Sequence, residues 1–179
     1  HIMKGKTICK TLGLVLLALL ILVVLYVVYV FASYHRIGDQ SLSVMHCSSG
    51  DAVPMEDAVE TGAVYRVSSA NVGFGAYSAD YSFFMDGGKS SWAKSKESVE
   101  SDIQGAGELV ASKDPDFALI QEVDLNSTRS YHVDEYSILK YTIPSYNTVF
   151  AQNYDSAFLF YPFTQPHGRS RSGLALLSK

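Results

Sequence analysis

Cysteine is almost missing from this chain: Cys9 and Cys47 are the only two among 179 residues. They flank a candidate membrane span that would keep them in different compartments, so no disulfide is expected between them. Acidic residues are absent from positions 1–36, and charge of either sign is absent from positions 12–32. Basic residues are scarce in the remainder. Beyond residue 36 there are ten Lys and Arg against 18 Asp and Glu, a formal charge of −8 within a net charge of −4. A balance this acidic disfavours nucleic acid as a partner, because polyanion binders carry a basic footprint. No internal repeat is present, which excludes solenoid and propeller architectures.

What is present first is a 21-residue uncharged run at positions 12–32, rich in Leu and Val. As a helix it spans about 30 Å, the thickness of a bilayer core. Tyr26, Tyr29 and Tyr34 gather near its far end, where interfacial aromatics belong. Lys4, Lys6 and Lys10 precede the run and only Arg36 follows closely. The positive-inside rule then puts the N-terminus in the cytoplasm and the rest outside, as a single-pass protein of the cell membrane. A cleaved signal peptide is the alternative, with an unusually long apolar core and a marginal site at Val30, Phe31 and Ala32. His1 and Ile2 read as residues left ahead of a natural start at Met3. The organisation expected is a cytoplasmic N-terminus and anchor at 1–36, a polar juxtamembrane linker at 37–62 containing Pro54, and a domain at 63–179. Within the linker, residues 42–45 have the character of a short strand. His35 reads as an interfacial residue.

The domain has 47% hydrophobic content behind it, enough for one modest core. Residues 64–71 alternate as a strand and run into Val72, Gly73, Phe74, Gly75, Ala76 and Tyr77, where glycines permit tight backbone geometry. Ser90 or Ser91 is expected to cap a helix beginning near Trp92, with Val99, Ile103, Ala106 and Val110 on its apolar face. Lys113, Asp114 and Pro115 stop it. The stretch Asp116-Phe117-Ala118-Leu119-Ile120-Gln121-Glu122-Val123-Asp124 then reads as a buried strand whose polar residues arrive where the apolar run ends.

A strand, a helix and a second strand make a βαβ unit with a right-handed, parallel crossover. Both strands deliver their C-terminal residues to one edge of the sheet, where ligands bind in α/β proteins. Asn71 and Glu122, 51 positions apart, are therefore expected to be neighbours on one rim. Taken singly, Asn71 before glycine is also an ordinary turn residue, and Glu122 an ordinary solvated one. Farther on, Ser127 or Ser130 starts a helix through Tyr136, Leu139 and Lys140 that ends before Pro144. Residues 146–152 have strand character, 157–161 form an apolar run, and 174–178 form a buried strand cut off by the chain end. The chain is therefore expected to be a fragment.

Three blocks resemble the endonuclease/exonuclease/phosphatase superfamily, the fold of DNase I, apurinic endonucleases, inositol-polyphosphate phosphatases and neutral sphingomyelinases. They are Ser69-Ala70-Asn71-Val72-Gly73, Asp116-Phe117-Ala118-Leu119-Ile120-Gln121-Glu122-Val123 and Ser172-Gly173-Leu174-Ala175-Leu176-Leu177-Ser178. Their order and spacing carry the likeness over residues 63–179, and their wording is similar to a membrane-anchored bacterial branch. The resemblance implies an α/β fold: the N-terminal half of a four-layered DNase I-like sandwich behind one transmembrane helix. It implies Mg²⁺-dependent hydrolysis of a phosphoester, with Mn²⁺ as an alternative ion. Glu122 matches the Mg²⁺-binding glutamate, and Asn71 matches the asparagine that supports the metal and the scissile phosphate. Mg²⁺ suits such a rim, since it takes few protein oxygens and fills the rest with water and phosphate.

The family's Asp-x-Asn pair and its His with an acidic partner have no matching positions here. His132 and His167 lie outside any matching motif, and the fragment is expected to be inactive. Arg169 and Arg171, just before the third block, are placed either to contact a substrate phosphate or to stand as exposed loop arginines. Tyr154, Phe158, Phe160, Tyr161 and Phe163 read as groove lining or, for most, as core. Asp124 reads as a loop or capping residue, or as a support behind the metal. Two further readings stand beside the membrane-held hydrolase: an extracytoplasmic nuclease, and a non-catalytic binding module that retains the fold. The family domain packs two sheets together, so one face here, with Leu119, Leu174 and Leu176, is expected to lack part of its cover. Residues 37–179 expressed alone should therefore be poorly soluble, and a cooperative, monomeric unfolding transition of that piece would count against this.

Overall fold

The computed structural model describes residues 2–34, 36–47 and 59–179. His1, His35 and residues 48–58, with the expectations for His35 and Pro54, lie outside them, as do the side chains of residues 2–6. The chain divides into two compact units, His1–Arg36 and Ile37–Lys179.

In the first unit, helix α1 (Ile2–Ser33) contains a stretch, Thr7–Ser33, long and apolar enough to cross a membrane, with mean hydropathy 3.2. Cys9 and Cys47 are both free thiols.

The second unit is a mixed α/β structure. Strand β1 (Val67–Asn71) leads to helix α2 (Lys96–Ser112) and strand β2 (Phe117–Asp124). Helix α3 (Glu135–Thr142), strand β3 (Asn147–Asp155) and strand β4 (Arg171–Ser178) follow. The four strands form one sheet in the order β1-β2-β4-β3. β1 and β2 are parallel, as the βαβ pattern requires, and β4 is antiparallel to both of its neighbours.

Helix α2 begins later than the serines suggest. Its N-cap is Ser95, whose hydroxyl accepts from the Ser98 N–H while Ser98 Oγ accepts from the Ser95 N–H, each at 3.1 Å. Reciprocal bonds of this kind satisfy two helix-end donors at once. Ser91 and Trp92 are committed elsewhere: the Ser91 hydroxyl donates to the Gln165 carbonyl at 2.5 Å and Trp92 Nε1 to the Pro166 carbonyl at 2.7 Å. The buried face is Val99, Ile103, Gly107 and Val110, and Ala106 is half-buried beside it. A Cβ at Gly107 would stand 3.0 Å from Thr142 Cγ2, so glycine lets α2 approach α3.

Helix α3 is likewise capped late, by Asp134, whose side chain accepts from the Ser137 N–H. Ser127 and Ser130 instead frame a 3₁₀ turn at Thr128–Ser130, and their hydroxyls bond to the Arg171 carbonyl and the Asp124 carboxylate. Strand β1 starts at Val67, three residues after the alternating pattern begins. The expected strand at 42–45 is reduced to a single bridge between Met45 and Thr148. The Cys47 N–H donates to Asn147 Oδ1 at 3.1 Å, so this part of the polar segment is attached to β3.

Helices α2 and α3 cover one face of the sheet, closing a core around Ala118, Ile120, Ala175, Leu177, Val99, Ile103 and Leu139. The opposite face lies open. Leu119 and Leu176 are register partners at 42% and 37% exposure, and Leu174 is 41% exposed.

Candidate functional site

The site begins where β1 and β2 stop. Asn71 pairs in register with Gln121, which sets it beside Glu122. A regular strand would send Glu122 after Ile120 onto the helix-covered face. That does not happen, because the β2–β4 register slips between Ile120 and Val123 and Glu122 takes φ +57°. A bulge of this kind re-aims a side chain, and a non-glycine residue in left-handed geometry costs on the order of 1 kcal/mol. Val123 thereby returns to the core, fully buried, while Glu122 faces solvent.

Asn71 holds the turned carboxylate. Its Nδ2 donates to Glu122 Oε1 at 2.8 Å, and its Oδ1 accepts from the Gly73 N–H at 2.9 Å. A carboxylate demands a donor and an N–H demands an acceptor, so the two partners fix the amide's orientation. Asn71 therefore orients Glu122 and spends its own oxygen on the backbone. Glu122 Oε2 has no hydrogen-bond partner among the described residues.

The glycine-rich turn shapes the floor. Gly73, Phe74 and Gly75 are all left-handed (φ +52°, +45° and +62°), and a Cβ at Gly75 would meet Val99 Cγ1 at 2.9 Å. This buries Phe74 beneath a cleft of about 560 Å³. Asn71, Glu122, Asp86 and Arg129 supply its polar lining, and Tyr77, Phe83, Met85, Tyr154 and Leu174 much of its apolar wall. The Tyr77 hydroxyl donates to Asp86 Oδ2 at 2.9 Å. Partial burial, then that bond and the Asp86 and Glu122 charges, raise the Tyr77 pKa well above its usual 10, so the phenol stays neutral. His167 lines the cleft at 2% exposure, with Nε2 3.2 Å from Ser170 Oγ. Burial, then the nearby Arg129 charge, lowers its pKa and favours the neutral ring.

Arg129 is the cleft residue that sequence reasoning missed. Asp124, fully buried at the end of β2, grips it bidentately: Nε to Oδ2 at 3.0 Å and Nη2 to Oδ1 at 2.9 Å. The guanidinium lies 3.9 Å over the Phe74 ring. Burial works against the charge, and the Asp124 hydrogen bonds with the Asp124, Glu135 and Glu122 charges outweigh it, so the pKa is raised. A spacing of five residues across a 3₁₀ turn matches no periodic pattern, which is why the pair left no readable signal.

Arg169 and Arg171 lie elsewhere. Arg169 Nη2 pairs with Asp155 Oδ1 at 2.9 Å. Arg171 Nη2 donates to Gln152 Oε1 at 3.1 Å, with Nε 3.7 Å from Asp155 Oδ2. Neither lines the cleft. His132 is exposed and bonded to Asn126. Of the five aromatics read as groove or core, Tyr154 lines the cleft. Phe158, Phe160, Tyr161 and Phe163 are 36–85% exposed. They are surface residues because their segment is pinned through backbone bonds between Leu159 and Gly168, which leaves the rings to contact one another.

Behind the cleft, Glu135 is fully buried. Its Oε2 accepts from the Asp124 N–H at 2.8 Å and its Oε1 is unpartnered. Burial, then the Asp124 charge, raises its pKa well above the usual 4.5. The folded state therefore keeps this proton to higher pH than the unfolded chain does. Stability should fall as pH climbs from the ordinary glutamate range to the raised value. Glu135→Gln, which has no proton to lose, is expected to flatten that decline and raise Tm at neutral pH, as thermal melts across pH 4–8 would show.

Among the described residues no group of three or more His, Cys, Asp or Glu is placed to hold a metal. The donor set does not suit Zn²⁺, which takes three or four nitrogen or sulfur ligands from protein. It does suit Mg²⁺ or Mn²⁺, hard ions held by one or two carboxylates with waters and phosphate completing the shell. Comparison of the chain with protein-family models, curated proteins and solved structures finds no match.

Proposed function

We propose that this chain supplies the metal-binding rim of a Mg²⁺-dependent phosphoester hydrolase of the endonuclease/exonuclease/phosphatase type. In this reading the second unit belongs to a DNase I-like sandwich whose other layers would cover Leu119, Leu174 and Leu176. The observation that carries the proposal is Glu122: an exposed carboxylate that a bulge turns away from the core, with one oxygen held by Asn71 and the other open. Strain at a sheet rim, kept in place by a dedicated partner, is characteristic of functional positions.

Glu122 would hold Mg²⁺, or Mn²⁺, and Asn71 would keep its carboxylate in the binding orientation. The bound ion supplies charge neutralisation on the phosphate and its leaving oxygen. The neutral Tyr77 phenol is held by Asp86, and the apolar wall of the cleft limits water around the ester. Helix α1 would hold the protein in a cell membrane with its N-terminus cytoplasmic and the second unit outside. The acidic balance beyond residue 36 then favours lipid head groups or small phosphoesters over nucleic acid.

The test is hydrolysis of bis(p-nitrophenyl) phosphate by a chain that also carries the Asp-x-Asn and Asp–His groups the resemblance implies. Mg²⁺-dependent turnover that falls by at least about 10²-fold in Glu122→Ala is expected. Unchanged turnover in that variant removes Glu122 from its role. Metal-independent binding without turnover in such a chain would favour the non-catalytic module.

A further inference from the structure

We infer that Arg129 forms an oxyanion subsite in the cleft, taking a non-bridging oxygen of a substrate phosphate through Nη1 while Glu122 serves the metal side. The inference rests on the phosphoester reading and names the residue that would receive the anion. A guanidinium has five N–H donors in a fixed fork. Asp124 engages the Nε and Nη2 edge, and no acceptor among the described residues takes Nη1. Phe74 lies against one face of the plane at 3.9 Å, and the Ser130 hydroxyl donates to Asp124 Oδ2 at 2.9 Å, so the grip is itself held. A side chain gripped this way loses little further freedom when it binds an anion.

Three charged groups line the cleft, and Arg129 is the cation among them, beside Glu122 and Asp86. It pairs with Asp124, and no ion pair within 4.0 Å joins it to Glu122. The open donor edge therefore shares the cleft with the metal-site carboxylate and is not neutralised by it. Arg169 and Arg171, the more obvious phosphate ligands in the sequence, are occupied by Asp155.

The experiment uses the full chain in nanodiscs with EDTA present, so that no metal contributes. Orthophosphate binding is followed by ³¹P line broadening. Phosphate protection of Arg129 from phenylglyoxal is mapped by mass spectrometry on the unaltered protein. Binding is expected, with Arg129 protected, and Asp124→Asn with Arg129→Gln together should weaken it by about tenfold or more. The double substitution removes both partners, so no charge is left buried. An Arg129 that reacts equally with and without phosphate overturns the inference, as does a folded double variant that binds phosphate like the parent.

Glu122→Gln separates the two readings. If it abolishes metal-dependent hydrolysis in the longer chain while Arg129 is unprotected in the parent, the subsite fails and the hydrolase stands. If hydrolysis is absent and protection is present, the subsite stands alone. Repeating the protection with glycerol 3-phosphate, and with nanodiscs containing phosphatidic acid, tells soluble from lipid-borne phosphate. Arg129-dependent protection in either arm supports the subsite.

Discussion

Arg129→Met is expected to destabilise the second unit by about 3–5 kcal/mol, because it leaves the Asp124 carboxylate buried without its counter-charge. Asp124 is fully buried, and its other side-chain donor is the Ser130 hydroxyl at 2.9 Å. Glu135, equally buried, lies beside it and accepts from its backbone N–H. Two carboxyls and one guanidinium form the charged cluster, so deleting the cation leaves nothing nearby to offset either acid. The substitution also removes the contact over Phe74, which supports the cleft floor. Adding Asp124→Asn should restore most of the loss, since a neutral amide can be buried where an unpaired charge cannot. Urea unfolding followed by Trp92 fluorescence measures both variants, Trp92 being packed edge-on against Tyr131 at 5.6 Å. A single variant within about 1 kcal/mol of the parent would mean that Asp124 finds other partners.

Asn71→Ala should weaken Mn²⁺ binding by about 10- to 100-fold, the usual effect of losing a residue that orients a metal ligand. Two bonds are lost together: the one to Glu122 Oε1, and the one from the Gly73 N–H that anchors the amide. Without them, a carboxylate on a left-handed backbone has no partner to select its rotamer. Asn71→Asp would place a second acid beside Glu122 and break the donor–acceptor match. Mn²⁺ titrations of the two variants separate orientation from charge. If Asn71 only orients, the Asp variant gains affinity or holds it while the Ala variant loses it. Equal binding by the parent and Asn71→Ala would show that Glu122 needs no help.

The adjacency of Asn71 and Glu122 was readable because it depends on long-range periodicity. An amphipathic helix between two strand patterns dictates a parallel pair, and a parallel pair brings its strand ends together. The open leucine face was readable for a similar reason, as alternation assigns Leu119, Leu174 and Leu176 to one side. Features decided by competition for hydrogen bonds were not readable. Ser91 and Ser127 resemble helix caps, yet their hydroxyls bond to Gln165 and Arg171, 74 and 44 residues away. Asp155 captures Arg169 and Arg171 from the adjoining strand, a preference that linear spacing does not reveal. The positive φ of Glu122 was equally hidden, since nothing in Gln121-Glu122-Val123 announces a bulge.

Mn²⁺ binding to the full chain, measured by electron paramagnetic resonance for the parent and for Glu122→Gln, tests the central claim most directly. Glutamine keeps the shape of the side chain and an oxygen but removes the charge. One site is predicted in the parent, weakened at least about 10²-fold by the substitution, with the thermal midpoint little changed because Glu122 is exposed. Equal Mn²⁺ affinity in the two proteins, or no site in the parent, would contradict the assignment of Glu122 as the metal ligand.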